Sequence, residues 1–335
     1  MRLDRRKMPL RIMKIPHRLQ EIIKENKKFL IVSHVNPEGD AVGSCIGLAL
    51  GLKKLGKHAH ILSKSPLPEM YKFLPRSDLV KTSLPSFKCD VLCVVDCNTL
   101  ERTGLTGLKA RTTVIIDHHI PSPDITPEIF RSQELITFID KDASAAGELV
   151  YRLLHALSVP MDKAIATNLY TSIYTDTGGF RYSNTGSESL KIASRLIEAG
   201  ANPWEVTKEV YESIPFKSLK LLAMTLSTLE KRGAIACITI NRHMFRKTKT
   251  TAQDTENLVD FPRKIKGVEV AVLFREEGEG VYKLSLRSKG KVNVAEICRS
   301  FGGGGHANAA GCRLRGNLEE VKSKIFKAIK NQWEK

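Results

Sequence analysis

The sequence has no long apolar run and no recognisable leader. No uninterrupted apolar stretch in the 335 residues is long enough to cross a bilayer. Residues 1–14 are basic but lack an apolar core and a small-residue cleavage site, so they do not predict a secretory signal. Seven cysteines are an odd number for a disulfide framework, and Cys89, Cys93 and Cys97 form no Cys-x-x-Cys pair. We therefore expect reduced thiols in a cytoplasmic protein that does not enter the membrane.

Acidic residues are outnumbered: 53 Lys and Arg stand against 36 Asp and Glu, a formal charge of +17. This balance favours a polyanionic partner, nucleic acid or a phosphate-rich small molecule, although a generally basic, solvated surface explains it equally well. The basic runs at residues 24–28 and 242–249 lack the aromatic interleaving of a stacking platform for long single strands. The charge alone therefore indicates a class of partner and no activity.

The order of apolar segments predicts two α/β domains. Continuously apolar stretches at residues 29–33, 90–96 and 113–116 indicate buried strands, and helical patterns alternate with them. This alternation is typical of a doubly wound, mostly parallel sheet. After Pro215 a long helix at 216–231 leads to a smaller α/β domain with a hairpin at 276–280. We place the domains at 1–214, including a basic arm at 1–15, and at 233–335, joined by a connecting helix at 215–232 and facing each other across a cleft.

Acids and imidazoles follow the predicted strands. Three groups lie directly after a strand and a fourth follows a helix: His34, Glu38 and Asp40; Asp96; Asp117, His118 and His119; and Asp176. Because the carboxyl ends of parallel strands meet at one edge of a sheet, we expect these side chains to lie close together. Taken singly, each acid is better explained as a helix cap or a surface charge, and Asp40 before Ala41 is a plausible N-cap.

Taken together, these residues predict a metal centre. Carboxylates and imidazoles without thiolates are ligands for Mn²⁺ or Mg²⁺. So many converging acids would repel one another strongly unless cations neutralised them. Two such cations can share a bridging hydroxide and clamp a phosphoryl group.

The motifs, in this order and spacing, resemble the DHH phosphoesterases, a RecJ-like superfamily named for its Asp-His-His triplet. The resemblance is strongest to the compact members described as bifunctional oligoribonuclease/PAP phosphatases, and it covers nearly the whole chain. It rests on five stretches: residues 34–44, 94–96, 117–119, 176–180 and 302–311.

The resemblance implies a role for each residue of the predicted centre. His34, Glu38 and Asp96 would hold one cation; Asp40, Asp96, His118 and Asp176 would hold the second, with Asp96 bridging the two. His119 would face the scissile phosphate, and Asp117 would orient an imidazole or the loop. Position 38 is often Asp in the superfamily, so the longer Glu38 either reaches the metal directly or acts through water.

The glycine run at 302–305 predicts a second anchor for substrate. Successive glycines permit close backbone approach, and their N–H groups can form an anion-binding nest. We assign substrate binding to Arg287, Ser288, Gly303, Gly304, Gly305 and His306, with Arg287 able to grip a phosphate bidentately. A flexible linker is the alternative. The resemblance agrees with the anchor, since the DHH-associated C-terminal domain uses this loop for the nucleotide end of its substrate.

We therefore expect an enzyme with two divalent cations, Mn²⁺ before Mg²⁺. Its substrates would be short RNA or DNA oligonucleotides, cleaved to mononucleotides, and adenosine 3',5'-bisphosphate, from which it would release phosphate. Two alternatives stay open: a phosphodiesterase for linear or cyclic dinucleotide signals, and a non-catalytic nucleic-acid-binding protein. A homodimer is a further expectation.

Overall fold

A computed structural model describes residues 15–84, 88–122, 125–255 and 257–333, without the side chain of residue 306. The predicted basic arm at 1–15 lies outside these residues except for Ile15. The chain divides into two compact units, Met1–Ser213 and Ile214–Lys335. Within the described part of the chain, no helix is both long and apolar enough to traverse a bilayer.

Unit 1 is built around a six-stranded, wholly parallel sheet. Its strands are β1 (Lys28–Val32), β2 (His58–Leu62), β3 (Val80–Lys81), β4 (Val91–Val95), β5 (Thr112–Asp117) and β6 (Glu134–Ile139). Its helices are α1 (His17–Glu25), α2 (Gly39–Lys54), α3 (Leu100–Thr103), α4 (Ala146–Ala156), α5 (Lys163–Asp176), α6 (Ser187–Glu198) and α7 (Pro203–Tyr211). Short 3-10 turns cover Glu69–Tyr71 and Ser77–Leu79. The predicted α/β class with a parallel N-terminal sheet is confirmed.

The strand order places a crevice at the middle of the sheet. The order is β3-β2-β1-β4-β5-β6, and it reverses direction between β1 and β4. Connections leave β1 and β4 toward opposite sides at this point, which opens a crevice beyond their carboxyl ends. The chain segments after β1 and β4 are therefore the segments that line this crevice.

The apolar composition of the central strands explains their place in the sheet. All residues of β4 and β5 are buried, since both faces of the sheet are covered. Helices α1, α2, α4 and α5 contribute to the core on one face. On the other face, the core contains Leu30, Leu92 and Phe130.

Glycines let α2 pack very closely on α5. A Cβ atom at Gly39 would overlap the side chain of Thr175, and one at Gly43 would overlap the carbonyl oxygen of Asn168. This close approach brings the start of α2 to the end of α5. Asp40 and Asp176, at those two helix ends, are thereby drawn to the same edge of the sheet.

Unit 2 is a second six-stranded sheet with helices. Its strands are β7 (Glu230–Arg232), β8 (Ile235–Ile240), β9 (Val270–Gly278), β10 (Val281–Ser288), β11 (Gly304–His306) and β12 (Ala309–Arg315), in the order β11-β12-β10-β9-β8-β7. Among the described strands of this sheet, only β8 and β9 pair in parallel. Its helices are α8 (Phe216–Leu226), α9 (Arg242–Thr248), α10 (Asp260–Arg263), α11 (Val294–Ser300) and α12 (Leu318–Trp333), with a 3-10 turn at Ala252–Thr255. The β9–β10 pair forms the predicted hairpin.

The predicted helix at 216–231 is shorter in the structure. Helix α8 ends at Leu226, and the chain then turns into the strand β7. The hydroxyl of Thr228 accepts a hydrogen bond from the Thr239 N–H (2.8 Å), which ties the turn to β8. The antiparallel pairing of β7 with β8 therefore replaces the last turns of the expected helix.

Candidate metal centre

Three neighbouring strands deliver the central residues of the site. His34 follows β1, Asp96 follows β4 directly, and Asp117 is the last residue of β5, with His118 and His119 after it. The N–H of Asp96 donates to the Ile116 carbonyl at 3.0 Å, which continues the ladder to the strand end. Asp96 then adopts a left-handed backbone conformation (φ 59°), which aspartate tolerates better than most residues. The chain thus turns sharply at Asp96.

Asp96 lies at the centre of the cluster. One carboxylate oxygen is 3.3 Å from His34 Nε2; the other is 3.5 Å from His118 Nε2 and 3.7 Å from His119 Nδ1. The side chain is buried, yet neither carboxylate oxygen has a hydrogen-bond partner among the described residues. His34 Nε2 is likewise buried without one. Buried polar atoms are costly when unpaired, so this arrangement suits ligands to a cation.

The tautomers of the two imidazoles are set by backbone carbonyls. His34 Nδ1 lies 2.9 Å from the Val35 carbonyl oxygen, and His118 Nδ1 lies 3.3 Å from that of Ala143. A carbonyl oxygen only accepts, so in each ring Nδ1 carries the proton. Nε2 is then the ring nitrogen that faces the carboxylates, which is the orientation of histidines that bind metals through Nε2.

The ligand atoms form three overlapping groups. Within each group the atoms lie within 4.8 Å of one another: His34, Glu38 and Asp96; Asp40, His118 and Asp176; and Asp96, His118 and His119. Asp96 belongs to two groups, and so does His118. All six predicted metal ligands are therefore brought together, and their donor set fits one or two divalent cations.

The electrostatics of the cluster show how strongly these groups interact. Burial raises the pKa of Asp40 well above its usual range, and the charge of Asp96 raises it further. Burial and the same charge raise the pKa of Asp176 to about 7, although His118 opposes this. Burial lowers the pKa of His118, but Asp96 and Asp40 outweigh it and raise the value to about 10. Protons thus compensate the negative charge that cations would otherwise neutralise.

Asp117 is not a member of the three ligand groups but holds the residues around it in place. It is fully buried, and its Oδ1 accepts hydrogen bonds from the His118 N–H (2.8 Å) and from His119 Nδ1 (2.7 Å). Its Oδ2 accepts from Asn98 Nδ2 at 2.7 Å. Sequence reasoning missed Asn98, whose only signal is its place two residues after Asp96.

Asp40 is also held firmly, and not as the cap of its own helix. Its two oxygens accept from the N–H groups of Ala146 (2.7 Å) and Gly147 (3.1 Å) at the start of α4, and from the Ser172 hydroxyl (2.5 Å). The cap position of α2 is Glu38, which makes no side-chain capping bond. The N-cap alternative for Asp40 is therefore wrong. The Glu38 side chain is 55% exposed, and its Oε1 lies 3.9 Å from His34 Nε2.

The residues predicted to bind substrate lie in unit 2. Arg287 and Ser288 end β10, where Arg287 pairs with Ala309 of β12. The Ser288 hydroxyl is buried and donates to Glu269 (3.2 Å), so it is already engaged within the fold.

The glycine run is partly a strand. Gly304 and Gly305 belong to β11 and pair with Gly311 and Ala310. The Gly303 N–H donates to the Cys298 carbonyl (2.8 Å), so it is not available for the predicted anion nest. A Cβ atom at Gly303 would overlap the Gly311 carbonyl oxygen, which explains the need for glycine there.

The site is thus a set of carboxylates and imidazoles beyond β1, β4 and β5 of a parallel sheet. Two family models match the sequence over most of its length. The model of the DHH family, N-terminal domain, matches residues 28–173, and that of the DHHA1 domain matches residues 222–334. The chain belongs to the DHH family.

Particular relatives match nearly end to end. The bifunctional oligoribonuclease and PAP phosphatase NrnA of Thermus thermophilus is 31% identical over 308 residues, which cover 90% of this chain and 89% of the relative. The protein of the same name from Mycoplasma pneumoniae is 26% identical, with coverages of 90% and 91%. The crystal structure of an exopolyphosphatase-related protein from Bacteroides fragilis superposes with a TM-score of 0.85 at 28% identity, covering 95% of this chain and 96% of that one.

Proposed function

We propose that the protein is a metal-dependent phosphoesterase that hydrolyses short oligonucleotides to mononucleotides and releases phosphate from adenosine 3',5'-bisphosphate. The observation that carries this proposal is Asp96, a buried carboxylate that is shared by two groups of ligand atoms and has no hydrogen bond to any described residue. The substrates are proposed from the relatives of Thermus thermophilus and Mycoplasma pneumoniae, both named oligoribonuclease and PAP phosphatase.

The proposed centre holds two divalent cations, with Mn²⁺ preferred over Mg²⁺ because imidazoles take part. His34, Glu38 and Asp96 would hold one; Asp40, Asp96, His118 and Asp176 would hold the other. When bound, such cations neutralise phosphoryl charge and make water a better nucleophile. The contribution of the chain is to keep each imidazole in the tautomer that presents Nε2, through the carbonyls of Val35 and Ala143.

His119 is the proposed group that faces the scissile phosphate. Its Nδ1 lies 2.7 Å from the buried carboxylate of Asp117, which orients the ring and favours a proton on Nδ1. Nε2 is then the ring atom that would contact the substrate, as a hydrogen-bond donor when the imidazole is protonated. Asp117 is the positioning residue in this pair, and Asn98 holds its second oxygen.

We further propose that residues 1–214 are the catalytic domain and that residues 233–335 bind the non-reacting part of the substrate. Residues 215–232 would connect these two domains. Arg287, half-buried at the end of β10, is the proposed cation for a terminal phosphate. Gly304, Gly305 and His306 on β11, which β12 separates from β10, would contribute backbone contacts, and so would Gly303 apart from its N–H group. All seven cysteines are free thiols, which fits a cytoplasmic location. The homodimer stays a prediction.

One substrate panel tests the proposal. Dinucleotide, cyclic dinucleotide, adenosine 3',5'-bisphosphate and a long single strand would be compared at one Mn²⁺ concentration, each with an EDTA control. We expect hydrolysis of the dinucleotide and the bisphosphate, abolished by EDTA. Preferred turnover of the cyclic dinucleotide would replace the proposal with the signalling phosphodiesterase. Binding without hydrolysis of any substrate would leave only the nucleic-acid-binding protein.

A further inference from the structure

The buried ion pairs of Arg152 form a second charged network beside the metal centre. Arg152 lies on α4 and is almost fully buried, as are its partners Asp140 and Glu148. One guanidinium nitrogen donates to Asp140 Oδ2 at 3.1 Å, and the other donates to Glu148 Oε1. Two buried carboxylates sharing one buried guanidinium are costly to maintain, since the desolvation of three charges must be offset. The proposed reaction makes no direct use of them.

The two carboxylates lie on either side of one short segment, residues 143–147. Asp140 is bonded on the N-terminal side: its Oδ1 accepts from the Asp142 N–H (3.1 Å), and its own N–H donates to the Asp117 carbonyl (3.1 Å). Glu148 is bonded into the segment, since its Oε2 accepts from the N–H (3.1 Å) and the hydroxyl (2.8 Å) of Ser144. Arg152 therefore clamps both sides of the segment.

The clamped segment contacts two of the proposed ligands directly and is linked to a third through one side chain. The Ala143 carbonyl accepts from His118 Nδ1 at 3.3 Å, and the N–H groups of Ala146 and Gly147 donate to Asp40. The third contact goes through Asn184. Its side-chain amide donates to the Ser144 carbonyl (3.1 Å) and also lies 3.3 Å from Asp176 Oδ2.

Asp40, His118 and Asp176 are together one of the three groups of ligand atoms. The group of His34, Glu38 and Asp96 has no hydrogen bond to residues 143–147 among the described residues. We infer that Arg152 is a positioning residue for one cation site: by fixing residues 143–147 it sets the places of Asp40, His118 and Asp176. The inference rests on the proposed two-cation centre.

A conservative substitution tests this directly. Arg152→Lys keeps the charge, but a single ammonium cannot replace the two-pronged contact with Asp140 and Glu148. Groups that hold metal ligands typically contribute about 10–100-fold to metal affinity. We expect calorimetric titration of the full chain with Mn²⁺ to show one site weakened by that factor and the other unchanged. A general loss of structure would weaken both sites alike.

Two further variants complete the experiment. Glu148→Gln removes the negative charge from one partner of the guanidinium and should weaken the same single site. It decides the question alone if Arg152→Lys does not fold. The control is Arg18→Lys, which alters the bidentate pair of Arg18 with Glu134 (2.7 and 3.2 Å) at the opposite end of β6. It should leave both sites intact.

The outcomes separate this inference from the metal centre itself. Two results with folded Arg152→Lys or Glu148→Gln would overturn the inference. The variant would either bind two Mn²⁺ as tightly as the wild type or lose both sites equally, and in both cases Arg152 does not position one site. If the wild-type chain binds no Mn²⁺, the proposed centre is wrong, and the inference falls with it.

Discussion

Asp96→Asn is the substitution to which the proposed centre should be most sensitive. The change keeps the size of a buried side chain and removes its charge. The asparagine would present an NH₂ group to an imidazole nitrogen now 3.3 or 3.5 Å away, where the carboxylate presents an acceptor. A shared ligand is thereby lost from both proposed cation sites at once.

The expected size of the loss in activity and stability follows from the sharing of Asp96 by both proposed cation sites. Cation stabilisation of phosphoryl transfer contributes several kcal/mol, and a loss of about 4 kcal/mol lowers kcat/KM about a thousandfold. Binding to the folded state also raises stability, by about 2.7 kcal/mol per site at a cation concentration 100 times Kd. For a chain of 335 residues that is an increase in Tm of about 4 °C per site. Asp96→Asn should lose most of this increase together with turnover.

The assay measures dinucleotide hydrolysis and Tm, each with Mn²⁺ and with EDTA. The matched control is Asp90→Asn at the other end of β4, where the carboxylate accepts from the N–H groups of Lys27 (3.2 Å) and Lys28 (2.9 Å). The control should keep the Mn²⁺-dependent change in Tm. A folded Asp96→Asn that hydrolyses within a few-fold of wild type would refute the shared-ligand assignment.

Three further predictions concern the pH dependence of Mn²⁺ binding, the role of Arg287 in substrate binding, and the preferred length of the substrate. At pH 7 and without metal, His118 (pKa about 10) holds a proton, and Asp176 (pKa about 7) is partly protonated. Because Mn²⁺ must displace these protons, the affinity of the chain for Mn²⁺ should rise as pH rises through 7. Calorimetry in two buffers of different ionisation enthalpy measures the release, and equal heats would contradict it. Arg287→Ala should raise KM for a dinucleotide more than for a generic activated phosphodiester, with Arg313→Ala as control; equal losses on both substrates would argue against this role. Oligonucleotides of about two to five residues should show higher kcat/KM than a long single strand at near-physiological salt, and a preference for the long strand would indicate a processive exonuclease.

The central strands and the edge where the polar groups gather could be predicted from the sequence. Continuous apolar runs such as that of β5 specify buried parallel strands, and parallel strands align their carboxyl ends. The alignment of strand ends therefore brings together Asp96, His118 and His34. It can be predicted without knowing how the side chains pack.

Contacts between distant elements could not be predicted in the same way. The edge strand β6 is only half-buried, and its residues give no continuous apolar run. Asn98 acts on Asp117, 19 residues further on. The carboxylate of Asp40 reaches the start of α4, 106 residues away, because α2 packs closely on its neighbours. Such pairings depend on tertiary packing, which local spacing does not encode.

The most direct test of the two-cation centre is a crystal structure with Mn²⁺, using anomalous scattering at the manganese edge. The account predicts two anomalous peaks, both next to Asp96. One would lie beside His34 and Glu38, and the other beside Asp40, His118 and Asp176. A single peak away from Asp96, or manganese bound only outside this cluster, would contradict it.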